Sequence, residues 1–250
     1  MRRQWRVRDL SLAVLFTHLF HLTHLTPALP AQQASAPRPV RWWEGALAAG
    51  GVALLMAADR PIQRYLQAGR SERDNALADS FRAMGQPEVY LAIGTGLLAS
   101  GALSRRPEVV RAGARISASL AVASASASAA KLILGRPRPR SSLDGDDFFP
   151  FSGHDALPSG HTTMAFALAT ALSDEIRDPW ATAGLYALAC GTAWSRLNDN
   201  DHWITDVVAG AAVGVTSAKW ATGRWRIFGL RPPAFLLQGG RPALQVRSGL

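Results

Sequence analysis

Three short strings in the middle of the chain contain residue types that could hold a phosphoryl group and attack its phosphorus. They are KLILGRPRP at 131–139, PSGH at 158–161 and SRLNDNDHWITD at 195–206. Between them they supply cations to hold the phosphoryl oxygens, two histidines for nucleophilic and acid–base work, and a carboxylate that could orient one of them. Chance alone would place PSGH in roughly one chain of this length per thousand.

The cations of these strings are suited to hold the phosphoryl oxygens. Arg138 and Arg196 each offer planar paired donors, whereas Lys131 offers a mobile point charge. Gly135 and Pro137 are typical of a helix end, so we expect Lys131 in the last helical turn before them. Any one of these cations alone could simply cap a helix or be solvated, but as a set they predict a phosphate site.

The PSGH string predicts the start of a helix that binds an anion. Ser159 is a suitable N-cap, and with Gly160 it opens a first turn whose free backbone N–H groups attract phosphate. His161 would protonate the departing oxygen as a general acid. A similar triplet ends at His154, but it lacks the preceding proline and no helix follows it directly. We therefore expect His154 to be a loop residue near the pocket.

His202 and Asp206 lie four residues apart, which on a helix places them on one face. Asp206 could then accept a hydrogen bond from one ring nitrogen of His202, leaving the other nitrogen free to attack phosphorus. The competing interpretation is a metal site, because His and Asp at this spacing can share a cation. The surrounding positive charges would repel a metal, and no further ligand cluster supports it.

The order and spacing of the strings resemble the phosphatidic acid phosphatase type 2/haloperoxidase family across 131–206, in particular its bacterial acid phosphatase-like members. The resemblance implies that His202 is a nucleophile forming a phosphohistidine, and that His161 acts first as acid and then as base for water. It implies no metal and no other cofactor. The substrate would be a phosphomonoester or diphosphate, either lipid-linked or small and soluble.

Two other functions remain open. A vanadate-dependent haloperoxidase would hold vanadate with the same cations, although the haloperoxidases of the family are much larger chains than this one. A non-catalytic envelope protein that binds anionic lipid would explain the positive charge but not the ordered strings.

Composition narrows the range of partners. The chain has 250 residues and a net charge of +9, carried almost wholly by arginine. Because the arginines are scattered through the loops, we predict solvated surface and no nucleic-acid partner. The acidic loop at 199–201 and the aspartates of 144–147 could pair with some of them or could limit which anions approach, and the sequence does not decide between these roles. Cys190 lies in an apolar stretch, which predicts a buried thiol. The oligomeric state is not predicted.

The chain divides into four predicted parts. Residues 1–31 combine basic residues, an apolar run and small residues near Ala31, which is typical of a cleaved export signal. An uncleaved N-terminal anchor is the alternative. Residues 32–43 are predicted to be a linker, 44–222 the phosphatase domain, and 223–250 an irregular tail with a small hairpin around Gly239-Gly240.

The fold is predicted to be all-α, a bundle of about six core helices with the site built from loops and helix ends at one end. Alanine-rich apolar segments without strand alternation support this. A shorter amphipathic helix is expected from Ser71. The apolar segments lie near 44–58, 88–103, 113–134, 161–173, 180–195 and 203–221.

The length of these segments bears on localisation. A spanning helix needs about 20 apolar residues, yet the first segment ends at Asp59 and the fourth reaches Asp174 within a dozen residues. The stretch from Ser117 to Ser128 is rich in hydroxyl groups. We therefore favour an exported, soluble protein with a periplasm-facing site over an integral membrane protein, while contact with a membrane surface or bilayer stays open.

Overall fold

The computed structural model describes residues 37–142, 144–227, 230, 234–238 and 241–245. Within them the chain is overwhelmingly α-helical, which confirms the predicted fold class. The predicted signal peptide or anchor lies outside the described residues. The helices are α1 (Trp42–Leu55), α2 (Asp59–Ala68), α3 (Glu72–Met84), α4 (Pro87–Leu103), α5 (Pro107–Leu134), α6 (Gly160–Ile176), α7 (Pro179–Asn198) and α8 (Ile204–Ala221). The strands are β1 (Arg38–Val40), β2 (Trp225–Ile227), β3 (Ala234–Gln238) and β4 (Arg241–Gln245).

Helix α2 was not predicted. The first apolar segment was expected to end at Asp59, but a short 3-10 helix (Met56–Ala58) leads directly into α2. The chain continues as helix here because the side chain of Asp59 is fully buried and bonded instead of solvated. The amphipathic helix expected from Ser71 is present as α3, and Ser71 and Asp74 form its capping box.

Helix α6 occupies the centre of the bundle and packs against α5, α7 and α8. The core between these helices and α4 consists mainly of alanine together with Tyr90, Ile116 and Leu120. Small side chains allow the helix backbones to approach closely. At Gly210 of α8, an added Cβ would lie 2.7 Å from the carbonyl oxygen of Ser159. The start of α6 is therefore held directly against α8.

The C-terminal end of α5 shows why the first string contains a glycine. Gly135 follows the last residue of α5 with φ +54°, in the left-handed region that favours glycine. A Cβ there would collide with the carbonyl of Phe149, whose amide donates to Gly135 O at 2.9 Å. The helix end predicted at Gly135 is confirmed, and the long loop that follows returns to this point before α6.

The parts outside the bundle are small. Strand β1 pairs in parallel with β2, so it and the first residues of α1 form structure within the predicted linker. Strands β3 and β4 form the antiparallel hairpin expected around Gly239-Gly240. Cys190 is exposed on α7, so the prediction of a buried thiol was wrong. The outward face of α7 is itself apolar, and this is why an apolar segment did not indicate burial.

Two helical stretches of the described chain are long and apolar enough to cross a membrane, Trp42–Ala68 and Pro107–Leu134. Only 6% and 28% of their most apolar windows are buried within the protein. No residue of α1 is buried, and its exposed side chains include Trp42, Leu47 and Leu54. The argument that the apolar segments are too short to span therefore fails for these two.

Candidate active site

A cavity of about 260 Å³ lies where the three strings meet, at one end of the bundle. Five predicted site residues line it: Lys131, Arg138, Gly160, His161 and His202. Asp155 lines the same charged part. Away from these groups the lining is formed by the α3–α4 turn and by small or weakly polar residues, among them Tyr90, Ser124, Ala127, Ser128 and Met164.

His202 is fixed by Asp206, although not by sharing a helix with it. α8 begins at Ile204, so His202 precedes the helix and Trp203 is its N-cap. Asp206 turns back toward the N-cap, where it accepts from the backbone amide of Trp203 at 2.8 Å. The same Oδ2 lies 3.5 Å from His202 Nδ1. Nδ1 has no other partner, so it faces the carboxylate and Nε2 is the nitrogen available for chemistry.

Arg136 is a buried residue in contact with Asp206 that the sequence analysis did not select. Its guanidinium is fully buried and donates from Nη1 to Asp206 Oδ1 at 2.6 Å. Nη2 donates to Asp59, and Nε donates to the carbonyl of Gly145 at 2.8 Å. The position of Arg136 inside the first string was the available signal, but the sequence does not show which arginine of GRPRP faces the cavity.

Arg138 is the arginine of this string that reaches the cavity, and its guanidinium is paired with a carboxylate. Its Nε and Nη2 donate to the two oxygens of Asp155 at 2.8 and 2.7 Å. Lys131 donates to the carbonyl of Asp155 and lies 3.7 Å from its carboxylate. The hydrogen bonds from Arg138 lower the pKa of Asp155 to about 2. Asp155 is therefore an anion in the place where a phosphoryl group would bind.

Two further predicted site residues lie behind the cavity wall. Arg196 is buried and pairs with Asp199 and Asp201, while its Nε has no partner. Ser159 is the N-cap of α6, but its hydroxyl accepts from Thr162 at 3.0 Å and caps no backbone amide. The Ser159 amide donates to Asp206 O at 2.9 Å, which joins the second string to the third.

The acidic loops pair with arginines around the site, which is one of the two roles that the sequence left open. Asp199 also pairs with Arg82, and Asp201 pairs with Arg138 and Arg140. In the loop after α5, Asp144 and Asp146 pair with Arg60. His154 lies in this loop beside the ring of Phe149, as expected for a loop residue.

Burial keeps both histidines of the site uncharged near neutral pH. Burial, together with the positive charge of Arg196, lowers the pKa of His161 to about 4. Burial also lowers the pKa of His202, which Asp206 opposes and the nearby cations reinforce. A neutral imidazole has a free lone pair, so His202 is in the form that can act as a nucleophile. Among the described residues, no group of three or more His, Cys, Asp or Glu side chains could hold a metal ion.

The fold and site define an all-α protein in which a histidine backed by a carboxylate shares a cavity with Lys131 and Arg138. A sequence model of the PAP2 superfamily matches residues 112–227, a stretch that contains all three strings. Over this stretch the chain is similar to the PAP2 superfamily, which confirms the resemblance that the strings predicted.

The similar curated proteins are phosphatases. A lipid A 1-phosphatase of Porphyromonas gingivalis is 41% identical over 87 residues, which is 34% of this chain and 17% of that protein. A candidate undecaprenyl-diphosphatase of Escherichia coli, YbjG, is 29% identical over 115 residues, 46% of this chain and 58% of that protein. The matched segments thus span less than two thirds of either relative.

Two solved structures share the fold. LpxE of Aquifex aeolicus has a TM-score of 0.53 and 22% identity, over 66% of this chain and 94% of that chain. A transmembrane PAP2-type phosphatidylglycerolphosphate phosphatase from Bacillus subtilis has a TM-score of 0.51 and 16% identity, over 73% and 92% respectively. These comparisons give no support to the preference for a soluble protein.

The placement of Asp155 leads to a prediction about anion binding. Asp155→Asn removes the carboxylate that competes for Arg138, so we expect orthophosphate to bind on the order of tenfold more tightly. Isothermal titration calorimetry of the purified chain measures this. The matched control is Asp144→Asn, which removes a carboxylate from the same loop but from Arg60, and should leave phosphate affinity unchanged. Weaker binding in Asp155→Asn would mean that the carboxylate orients Arg138 instead of competing with the anion.

Proposed function

We propose that this chain is a metal-independent phosphatase that hydrolyses lipid-linked phosphates or diphosphates through a phosphohistidine at His202. One observation carries the proposal. His202, backed by Asp206, lines the same cavity as Lys131, Arg138 and His161. This arrangement provides a nucleophile, an acid and positive charge around one space, which are the parts that phosphoryl transfer requires.

In the first step, His202 Nε2 attacks phosphorus and the bond to the leaving oxygen breaks. Lys131 and Arg138 neutralise the charge that spreads over the phosphoryl oxygens, and the first amides of α6 add a further positive end. Arg138 must exchange Asp155 for the substrate. The substrate binds as its monoanion, and neutral His161 relays the proton of that monoanion to the leaving oxygen. Asp206 stabilises the positive charge that develops on the His202 ring.

In the second step, water attacks the phosphohistidine. His161, again in its neutral form, accepts a proton from the water as the new phosphorus–oxygen bond forms and passes it to the phosphate. The bond between phosphorus and Nε2 breaks, His202 returns to its neutral form, and phosphate leaves. The charge supplied by Lys131 and Arg138 substitutes for the charge that a metal would provide in other phosphatases.

A lipid substrate is supported by the surface of the chain and by its relatives. Helix α1 is apolar and has no buried residue, and much of α5 is also unburied. A helix that is apolar on all sides and not covered by protein fits a bilayer. We therefore propose an integral membrane protein in which α1 and α5 lie within the bilayer. An active site outside the cytoplasm, which the predicted export signal implies, stays a prediction.

The covalent mechanism predicts unequal effects of two substitutions. His202→Ala should abolish phosphate release, while Asp206→Asn should retain a small residual rate, because a carboxylate that orients a nucleophile is less essential than the nucleophile. Release of phosphate from a lipid phosphate in detergent, with and without a chelator, measures both. ³²P label should be trapped on wild type and not on His202→Ala when the reaction is quenched in alkaline denaturant, in which the phosphorus–nitrogen bond survives.

The matched control is His154→Ala, which alters an exposed loop histidine and should keep the wild-type rate. More than about a tenth of the wild-type rate in His202→Ala would disprove the phosphohistidine. Loss of activity in chelator, restored by a divalent cation, would favour the metal interpretation. Halide oxidation with added vanadate would favour the haloperoxidase.

The histidine pKa values predict an acidic pH optimum. Because the pKa of His161 is about 4, the proton for the leaving oxygen must arrive on the substrate monoanion, whose second pKa is about 6. We expect kcat/KM to fall above about pH 6 as the substrate loses this proton. It should also fall on the acid side, where His202 becomes protonated. This acid limb should lie below the ordinary pKa of histidine, because burial lowers the pKa of His202.

A series of monoesters with different phosphate pKa values tests why kcat/KM falls at high pH, on the basic limb of its pH profile. We expect this limb to move with the pKa of the substrate. A basic limb that stays at one pH for all substrates would show that a group of the protein supplies the proton.

Membrane insertion gives a further prediction. The full chain should stay in the membrane fraction in high salt and leave it only with detergent. Leu47→Glu combined with Leu54→Glu places two carboxylates on the exposed face of α1 and should lower the inserted amount, because a charge in the bilayer costs about 3 kcal/mol. Leu77→Glu, at an exposed leucine of α3, is the matched control. Release of the wild-type chain by salt alone would contradict insertion.

A further inference from the structure

A chain of buried charges extends behind His202 into a helix that the family match does not cover. Asp206 faces His202 with one oxygen and accepts from Arg136 with the other. Arg136 donates in turn to Asp59 at the start of α2. The side chains of Asp59, Arg136 and Asp206 are all fully buried. Three separate segments of the chain therefore meet through one guanidinium.

The net charge of the group formed by Asp59, Arg136 and Asp206 affects His202. If Arg136 paired with Asp206 alone, the pair would be neutral and would offer little negative charge to the imidazole. With Asp59 present, one guanidinium meets two carboxylates, which leaves the group with one surplus negative charge. Such a charge stabilises the imidazolium-like ring of a phosphohistidine more than it stabilises the neutral ring.

We propose that Asp59 is a positioning residue for the nucleophile: it holds Arg136 so that Asp206 keeps both its orientation and its negative charge toward His202. The proposal rests on the nucleophilic role proposed for His202 and extends it to a residue outside the three strings. Arg136 is the connecting element, and the rings of Phe148 and Trp203, 5.7 and 5.6 Å from its guanidinium carbon, fix its plane.

A purely structural role for Asp59 can be separated from this one. Asp59 Oδ1 also accepts from the amide and hydroxyl of Thr205, at 2.9 and 2.6 Å, at the N-terminus of α8. An asparagine in its place could still accept from Thr205 through its carbonyl oxygen. Asp59→Asn therefore removes the charge while retaining an acceptor for the cap.

The other groups that face His202 lie on the cavity side and are left in place by a change at Asp59. A shift in the pKa of His202 therefore reports on the buried charged side chains behind it. The charged and titratable groups facing His202 are Asp206, Lys131, Arg138, Asp155 and His161.

The first experiment compares Asp59→Asn with wild type in the full chain in detergent. We expect the imidazole pKa of His202, followed by NMR on ¹⁵N-histidine with His202→Ala for assignment, to fall by about one unit. We expect kcat to fall on the order of tenfold with KM unchanged. Thr205→Val keeps the charge and loses one bond to Asp59, so it should lower the melting temperature without moving either quantity.

The second experiment removes one charge of each sign. Asp59→Asn combined with Arg136→Gln restores the surplus negative charge on Asp206, and the two amides can bond each other. We expect the His202 pKa and kcat to return to within about threefold of wild type, so that the double variant is more active than Asp59→Asn alone. Additive losses would overturn the proposal.

Two further outcomes are decisive. An unchanged His202 pKa in folded Asp59→Asn would overturn the role of Asp59. If Asp59→Asn does not fold, the double variant is compared directly with wild type, and a His202 pKa lowered by a unit overturns it as well. Turnover that survives His202→Ala would refute the proposed phosphatase mechanism, whereas the imidazole titration tests Asp59 without any turnover.

Discussion

The site depends on the burial of Arg136 between two carboxylates. Removing three charges from water costs several kcal/mol per ion unless every donor is satisfied. Arg136 meets this requirement with Asp59, Asp206 and the Gly145 carbonyl. Because these partners belong to α2, α8 and the loop after α5, the pairing fixes how these segments meet. The position of His202 follows, since Asp206 holds both Arg136 and the turn that carries His202.

Local signals explain how much of the site could be predicted from the sequence. Gly135 ends α5 because only a residue tolerant of positive φ fits there, and PSGH begins α6, so Lys131 and His161 had to lie at helix ends. Packing then brings those ends together at one cavity. The network behind them could not be predicted, because Asp59 and Arg136 are 77 residues apart in sequence. Which of two neighbouring arginines points inward depends on the loop conformation.

The interpretation of His202 and Asp206 shows how a correct contact can arise from a wrong local geometry. Spacing of four residues indicated a shared helical face, but the helix begins only at Ile204. Asp206 reaches His202 because it folds back to the N-cap of its own helix. The carboxylate thus caps a helix and orients a side chain at the same time, and no periodicity argument separates these two uses.

The preference for a soluble protein came from the charged residues that end two of the apolar segments and from the hydroxyl-rich residues of α5. Ser119 is fully buried in the protein, and its hydroxyl donates to the carbonyl of Arg115 at 2.7 Å, one turn earlier. A serine bonded in this way presents little polarity to its surroundings. The number of serines in α5 therefore overstates the polarity that this helix presents, whereas the length and exposure of α1 and α5 gave a different result.

The pairing of β1 with β2 has a consequence for how the molecule can be handled. These strands bring the beginning and end of the described bundle side by side, with β2 following the C-terminal end of α8. His202 lies at the opposite end of that helix, which at 18 residues is about 27 Å long. A linker joined at either strand would therefore tether the bundle to a surface or a carrier domain while leaving the mouth of the cavity unobstructed.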